Sequence, residues 1–471
     1  MSSEAATMNL GERPRASGIA AAVHDLTAAF GNRLVTSRAV REQHGHTTTW
    51  VANQPPDAVL FPQSTEDVQQ AVRICARHHA PIIAFGAGTS FEGHVNAPFG
   101  GICLDMKDMN KVLAIHPEDF DCVVEPGVTR KALNEHLRDQ GLFFPVDPGA
   151  DASIGGMAST RASGTTAVRY GTMKDNVLAL QVVLPNGDLI TTSRRARKSS
   201  TGYDLTRLFV GAEGTLGIIT ELTLKLHGIP EEIASAVCRF PSIQACCDTA
   251  IAAIQSGINI ARVEFLDEVM VRVVNADAKL GLPEQPMLFL EFHGSSAAVA
   301  EQSQRFGEIA REAGGSDFEW SVKPEDRTRL WQARHHVFWA CKSYRPGAGV
   351  AVSDVCVPIS RLAECVMETK QDIERSGIIA PIVGHVGDGN FHACPLVMMD
   401  DPQEVANATA FMERVAERAL AMEGTCSGEH GIGQGKKHFM EPEHGAAAIE
   451  LMRALKLAVD PNSTMNPGKI V

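Results

Sequence analysis

In Pro81-Ile-Ile-Ala-Phe85-Gly86-Ala-Gly-Thr-Ser-Phe-Glu-Gly93 an apolar run enters a glycine-rich turn. The run 81–85 is typical of a buried strand. Glycine permits positive φ and lets peptide N–H groups approach an anion closely. The turn therefore indicates either a phosphate-binding loop or a simple chain reversal, and by itself it does not decide between them.

Two more glycine-rich loops follow, Pro148-Gly149-Ala-Asp-Ala-Ser-Ile-Gly155-Gly156 and Gly211-Ala-Glu-Gly214-Thr-Leu-Gly217-Ile-Ile. The first loop is no dinucleotide fingerprint, because Phe91 stands where G-x-G-x-x-G requires its third glycine. Gly435-Lys436-Lys437 is no P-loop, because it lacks the leading glycine and the Ser or Thr. The sequence therefore argues against both a Rossmann and a P-loop assignment.

The pattern of apolar residues divides the chain into three parts. Up to residue 228, short strand-like runs alternate with helices, and Asn186-Gly187 between two such runs predicts a hairpin. Beyond residue 228 the helical stretches become longer. We predict an α+β protein with domains at 1–228 and 229–426 and a segment 427–471 that returns to the first domain.

Composition excludes several classes of function. The chain has 43 basic and 56 acidic residues, a net charge of −13, so nucleic acid is not an expected partner. Its eleven cysteines form no C-x-x-C, which argues against iron–sulfur and zinc-ribbon sites. No apolar run reaches the roughly 18 residues of a transmembrane segment. The first 18 residues mix acidic and basic side chains, unlike a transit peptide, so we expect a cytoplasmic protein that touches the inner membrane at most peripherally.

The sharpest motif of the second half is His385-Val-Gly-Asp-Gly-Asn-Phe-His392. Asp388-Gly389 favours a two-residue hairpin turn, which would make His385 and His392 direct cross-strand neighbours. Two imidazoles on one face suit a divalent metal, and Ser427-Gly-Glu429-His430-Gly-Ile-Gly433 offers a carboxylate as third ligand. A surface pair of histidines without a metal is the alternative interpretation.

The segment Leu330-Trp-Gln-Ala-Arg334-His335 places an arginine on a predicted helix. Arg334 is either a solvated helix residue or a ligand for an anion, since a guanidinium binds a carboxylate through two parallel hydrogen bonds.

The order of the glycine loops, with Ser199-Thr-Gly-Tyr-Asp-Leu205 ahead of the third, resembles the vanillyl-alcohol oxidase/para-cresol methylhydroxylase (PCMH) flavoprotein superfamily. The resemblance covers almost the whole chain. It implies a PCMH-type FAD-binding domain of two subdomains and an α+β, ferredoxin-like cap domain for the substrate. The residues that it implies for FAD binding are Gly86, Ala87, Gly88, Thr89, Ser90, Gly93, Pro148, Gly149, Ser153, Gly155, Gly156, Ser163, Gly164, Glu213, Gly214, Gly217, Ile218, Ile219 and Asn466. Some members attach FAD covalently through a histidine of the first loop. Here that position is Thr89 and His94 lies outside the loop, so non-covalent FAD is expected.

Within the superfamily, His385-x6-His392 with Glu429-His430 resembles the branch of 2-hydroxy acid dehydrogenases. That branch includes cytochrome- or quinone-linked D-lactate dehydrogenases, glycolate oxidase flavoprotein subunits and D-2-hydroxyglutarate dehydrogenases. The resemblance implies zinc or manganese on His385, His392 and Glu429, with His430 as the base and Arg334 on the substrate carboxylate. It implies oxidation of a small D-2-hydroxy acid, with D-lactate to pyruvate favoured, by hydride transfer from C2 to flavin N5. The electrons would pass to an external quinone, cytochrome or electron-transfer flavoprotein.

Several alternatives stay open at this point. Glycolate, D-2-hydroxyglutarate and longer or aromatic D-2-hydroxy acids suit the same set of residues. The remaining rivals are a metal-dependent hydrolase, a non-redox FAD enzyme of this fold, and a flavin subunit that needs partners. The sequence is compatible with a homodimer but does not establish one.

Overall fold

The computed structural model describes residues 16–47 and 49–471. Our expectation about targeting depends on residues 1–18, and of these the structure describes only residues 16–18. In the first half the helices are α1 (Ala16–Phe30), α2 (Arg38–His44), α3 (Thr65–Arg77), α4 (Arg130–Arg138), α5 (Ile154–Thr160), α6 (Ala167–Tyr170), α7 (Met173–Asn176) and α8 (Leu205–Phe209). The strands are β1 (Leu34–Val35), β2 (Ala58–Leu60), β3 (Ile82–Phe85), β4 (Ile102–Asp105), β5 (Val112–His116), β6 (Asp121–Val124), β7 (Leu142–Phe143), β8 (Val177–Val183), β9 (Leu189–Thr191), β10 (Ile218–Lys225) and β11 (His227–Gly228).

These strands form two main sheets. The first has the order β1-β2-β4-β3, and β4 runs parallel to both of its neighbours. The second is antiparallel, with the order β5-β6-β10-β8-β9. The hairpin predicted at Asn186-Gly187 is confirmed, since Val183 pairs with Leu189 and Gly187 has a φ of +83°. The glycine loops leave β3, enter α5 and enter β10, so all three lie beside these sheets.

In the second half the strands are β12 (Glu232–Arg239), β13 (Ile260–Leu266), β14 (Met287–Gly294), β15 (Ser316–Ser321), β16 (Gly349–Val350), β17 (Val355–Cys356), β18 (Ile382–His385), β19 (Asn390–Ala393) and β20 (Leu396–Val397). The helices are α9 (Ile243–Gln255), α10 (Glu268–Ala278), α11 (Ser296–Glu312), α12 (Pro324–His335), α13 (Val337–Tyr344), α14 (Leu362–Ser376), α15 (Pro402–Ala421), α16 (Met440–His444) and α17 (Ala446–Val459). Seven strands form one antiparallel sheet in the order β15-β12-β14-β13-β18-β19-β17.

The two faces of this seven-stranded sheet bury different side chains. Val263 and Phe265 of β13 belong to the core that α9, α11 and α14 cover. Leu266 belongs to the opposite core, with α10, α12 and α13. Because side chains alternate along a strand, Arg262 and Glu264 share this second face with Leu266. The sheet thus holds two charged side chains in the interior, on the side where α12 packs.

The C-terminal segment lies against the first sheet. Ile82 of β3 forms a parallel bridge with Met465, and its N–H donates to the carbonyl of Thr464 at 2.8 Å. The ammonium group of Lys469 is buried and donates to the carbonyl of Asn96 at 2.8 Å. Our domain boundaries at 228 and 426 stay predictions. Among the described residues, no helix is long and apolar enough to cross a membrane.

Candidate active site

A large cavity lies between the three glycine loops and the second half of the chain. It encloses about 2000 Å³ of space, counting the part that is open to solvent. All but one of the residues predicted to bind FAD line it; the exception is Gly93, which packs behind the wall against Val51 and Gln434. The predicted metal and catalytic residues line the same cavity: Arg334, His385, His392, Glu429 and His430.

Close packing explains why glycines stand in the cavity wall. A Cβ atom at Gly86 would lie 2.1 Å from Ser153 Oγ, and one at Gly155 would lie 2.5 Å from Pro126 Cβ. Gly88 has a φ of +67°, which other residues rarely adopt. The backbones of the first two loops therefore approach each other more closely than side chains would allow.

The wall also carries an unsatisfied polar group. The hydroxyl of Ser153 is buried and has no hydrogen-bond partner among the described residues. Buried hydroxyls normally find a partner, so a ligand with acceptor oxygens fits this position. A glycine-lined wall with a free hydroxyl suits the pyrophosphate of FAD.

Asn466 closes the cavity from the C-terminal segment. Its side-chain amide donates to the carbonyls of His94 and Glu213, at 3.1 and 2.7 Å. The Glu213 carboxylate in turn accepts the N–H groups of Ile432 and Gly433, at 2.7 and 2.8 Å. The first loop, the third loop and the 427–433 segment are thereby tied together at one point.

The histidine hairpin forms, but our prediction of its register was wrong. His385 pairs with Asn390 and Val383 pairs with His392, so the connection is four residues long rather than two. Val386 is fully buried in the core, which draws the strand end away from the predicted tight turn. The two-residue shift in the pairing preserves the face. His385 and His392 are therefore diagonal neighbours, with ring centroids 5.5 Å apart.

Glu429 completes a cluster with the two histidines. Its Oε1 lies 3.3 Å from Nε2 of His385 and 3.3 Å from Nε2 of His392. The other ring nitrogens are occupied: Nδ1 of His385 is 2.7 Å from a carboxylate oxygen of Glu264, and Nδ1 of His392 is 3.0 Å from the carbonyl of Ser353. Both Nε2 atoms therefore face Glu429, and two imidazoles with one carboxylate fit a divalent cation with open positions.

The electrostatics of the cluster favour a positive charge at its centre. Burial alone would raise the pKa of Glu429, but the nearby His385 and hydrogen bonds from both histidines hold this pKa well below its usual value. Burial would lower the pKa of His385, but Glu264 and Glu429 together hold it well above its ordinary value. Glu264 at Nδ1 and Glu429 at Nε2 thus stabilise a protonated imidazole together, and a metal ion on Nε2 would take the place of the proton that faces Glu429.

His430 lies beside the cluster in a different environment. Its ring stacks on that of His392 with centroids 5.0 Å apart, and Phe91 contacts it edge-on at 4.7 Å. Burial lowers the pKa of His430 to about 4, and the attraction of Asp354 only partly opposes this. The imidazole is therefore neutral at pH 7 and able to accept a proton. Its Nδ1 is buried without a hydrogen-bond partner among the described residues.

Asp354 holds the segment that carries Glu429 and His430. One of its oxygens accepts the backbone N–H groups of both residues, at 2.9 and 2.8 Å, and the hydroxyl of Ser427 at 3.0 Å. Its pKa lies well below the usual value, because His430 and Lys436 outweigh the effect of burial. Sequence reasoning missed this residue, which stands in no motif.

Arg334 is not a solvated helix residue. It is buried near the end of α12, and its Nε and Nη2 lie 2.8 and 2.6 Å from one oxygen of Glu264. Glu264 was also missed, because the alternating strand sequence Ile260-Ala-Arg-Val-Glu-Phe-Leu266 is typical of a strand with one solvated face.

Aromatic side chains line the cavity on the side of His430. Phe91 stacks on Phe338 with centroids 5.5 Å apart, and Phe338 contacts Trp339 at 5.3 Å. Trp339 is 53% exposed, so this row of rings leads from His430 to the protein surface. The sequence motifs gave no signal for this row.

The sequence is similar to FAD-binding proteins along almost its whole length. Residues 56–193 match the model of an FAD binding domain, and residues 229–470 match that of the C-terminal domain of FAD linked oxidases. A probable mitochondrial D-lactate dehydrogenase from Danio rerio is 51% identical over 98% of this chain and 94% of its own length. A mitochondrial D-lactate dehydrogenase [cytochrome] from Arabidopsis thaliana is 47% identical over 88% of this chain and 73% of its own length. Subunit GlcD of glycolate oxidase from Bacillus subtilis is 33% identical over 92% and 93%.

Similarity to a solved structure confirms the fold. The crystal structure of p-cresol methylhydroxylase with substrate bound superposes with a TM-score of 0.78 at 18% identity, covering 96% of this chain and 97% of that one. The predicted α+β fold of the PCMH type is therefore correct, and the FAD-binding domain predicted from the glycine loops is confirmed.

Proposed function

Because the chain belongs to the FAD-linked oxidase family that includes the D-lactate dehydrogenases, we propose that it oxidises a small D-2-hydroxy acid, D-lactate first, to the 2-oxo acid. The observation that carries the proposal is the meeting of two features in one cavity. The glycine-rich wall that suits FAD and the His385, His392 and Glu429 cluster line the same space. A hydride acceptor and a group that polarises an alcohol would thus stand on either side of one substrate.

The cofactors would be held by the residues named above. FAD would lie non-covalently along the glycine loops and, when bound, would take the two electrons of the oxidation as a hydride from C2. A divalent ion, zinc or manganese, would be bound by His385, His392 and Glu429 and would lower the pKa of the substrate hydroxyl.

The chain itself would orient the acid and accept the proton. The Arg334 guanidinium donates from Nε to Glu264, while its Nη2 is buried without a hydrogen-bond partner among the described residues. The end of the guanidinium that carries Nη1 and Nη2 is thus left for the substrate carboxylate. His430 is neutral and would take the proton of the hydroxyl. The row formed by Phe91, Phe338 and Trp339 would shield the reacting groups from water on that side.

The test is reduction of the bound flavin under anaerobic conditions. The purified yellow protein would be mixed with D-lactate, L-lactate, glycolate or D-2-hydroxyglutarate, and the loss of flavin absorbance would be followed. We expect fast bleaching with D-lactate and little with L-lactate. Fast bleaching by another acid alone would change the substrate, and no bleaching by any of the four would contradict the proposal.

Glycolate is the second candidate substrate, and the similarity to subunit GlcD of glycolate oxidase favours it. A complex with partner subunits would accompany that function, and loss of activity in the isolated chain would indicate it.

For D-lactate we propose an external electron acceptor, a cytochrome in the first place and otherwise a quinone or an electron-transfer flavoprotein. A cytoplasmic location with peripheral membrane contact stays a proposal. Mitochondrial location is the alternative, and the mitochondrial relatives favour it. A homodimer also stays a proposal.

A further inference from the structure

Glu264 joins the two halves of the candidate site. Its Oε1 lies 2.7 Å from Nδ1 of His385, and its Oε2 lies 2.8 Å from Nε of Arg334. The side chain is 1% exposed, so water does not compete for these contacts. One carboxylate therefore contacts both a proposed metal ligand and the proposed substrate-binding arginine.

The contact with His385 decides which ring nitrogen faces the cavity. An ionised carboxylate accepts hydrogen bonds and donates none, so Nδ1 of His385 carries the proton that Glu264 accepts. Nε2 is then the atom that points at Glu429, 3.3 Å away. A carboxylate behind a metal-binding imidazole fixes both its tautomer and its orientation.

The contact with Arg334 decides which edge of the guanidinium stays available. Glu264 is the only described residue that accepts a hydrogen bond from Arg334, and it occupies the Nε side. The planar group cannot turn without breaking the hydrogen bond from Nε and the ion-pair contact of Nη2, so the end that carries Nη1 and Nη2 keeps one direction.

We propose that Glu264 is a positioning residue that couples metal binding at His385 to carboxylate binding at Arg334. This inference rests on the proposed function, which assigns those two roles. A shift of the Glu264 carboxylate moves both partners at once, so loss of this residue should weaken the metal site and the substrate site together. Neither neighbour strand offers a replacement on the same face, since Glu291 of β14 is engaged by Arg262 and His293.

The first arm of the test measures the metal alone. In Glu264→Gln the amide can accept from only one of the two donors and turns its NH2 group towards the other. We expect the affinity for zinc or manganese to fall about 10- to 100-fold, measured on FAD-loaded protein by competition with a chromophoric chelator and without substrate. Glu291→Gln is the matched control, because it removes an equally buried charge that contacts neither His385 nor Arg334.

The second arm separates KM from kcat. At saturating metal the kcat of Glu264→Gln should recover, while KM for D-lactate should stay raised by about tenfold because Arg334 has lost its orientation. Unchanged metal affinity, an equal loss of metal affinity in Glu291→Gln, or a KM that returns to normal with metal would each overturn the coupling.

If Glu264→Gln does not fold, Glu264→Asp replaces it, since the shorter carboxylate can reach only one partner. Failure of every hydroxy acid in the wild-type protein would remove the proposed function, but the chelator titration would still decide the role of Glu264 at His385.

Discussion

Arg262 ties the second half of the chain to the glycine loops, and its replacement by methionine should be costly. Its guanidinium lies 3.0 Å from Asp147 and 3.2 Å from Glu291, both only 3% exposed, and stacks over Trp331 at 4.6 Å. Removing one partner from a buried ion pair costs about 3–5 kcal/mol, and the lower end applies here, because Asp147 keeps Thr165 and His335 as partners and Glu291 keeps His293. We therefore expect Arg262→Met to lower the free energy of unfolding by about that amount at pH 7.

The assay is urea unfolding of the FAD-loaded protein, with Arg272→Met as the control. Arg272 pairs with Glu284 at 2.8 Å, but both side chains are about half exposed, and an exposed pair of this kind contributes at most about 1 kcal/mol. Equal losses of unfolding free energy in the two variants would show that the low exposure of Asp147 and Glu291 does not strengthen their pairing with Arg262.

The stability of Arg262→Met relative to wild type should also depend on pH. Burial would raise the pKa of Asp147, but Arg262 and His335 outweigh it and hold this pKa well below its usual value. A carboxylate with a depressed pKa contributes stability that is complete above its unfolded pKa of about 3.9 and is lost as the pH falls below that value. The difference in stability between wild type and Arg262→Met should therefore narrow below about pH 4. A difference that stays constant down to pH 3 would contradict the assignment to Asp147.

Three further substitutions test individual roles. Arg334→Lys keeps the charge but loses the planar fork, so KM for D-lactate should rise about tenfold or more in steady-state kinetics, and an unchanged KM would contradict its role. His430→Gln should slow anaerobic flavin reduction by about 10²- to 10⁴-fold without loss of metal, and a rate within tenfold of wild type would argue for another base. Gly155→Val would place side-chain atoms against Pro126, so the flavin content per protein should fall, whereas Gly228→Ala, which has open space, should retain it.

The residues that meet in the cavity could be found in the sequence because contiguous motifs carry them. Each of these motifs is a contiguous stretch of sequence: the glycine loops, the segment with His385 and His392, and the segment with Glu429. Few other functions require the same combination of residue types. The apolar run 81–85 also predicted a buried strand, and β3 (Ile82–Phe85) confirms it. Such local patterns can be recognised without knowing which residues pack against them in the folded protein.

What the sequence could not provide depends on long-range packing. The hairpin register follows from the burial of Val386, which no turn propensity contains. Glu264, Arg262 and Asp354 look like ordinary polar residues of half-exposed strands and loops, yet the fold buries Glu264 and Asp354 and leaves Arg262 only 16% exposed. Their hydrogen-bond partners are 29 or more residues away in sequence, so only the assembled sheet reveals them.

If a hydroxy acid is oxidised where the flavin cavity meets the metal cluster, removal of the metal should slow the reduction of the flavin. FAD-loaded protein would be stripped with a chelator, divided, and mixed anaerobically with D-lactate before and after addition of zinc or manganese. We predict that the stripped protein keeps its flavin but is reduced at least about 100-fold more slowly, and that one of the two metals restores the rate. Reduction at the full rate without metal would contradict the account.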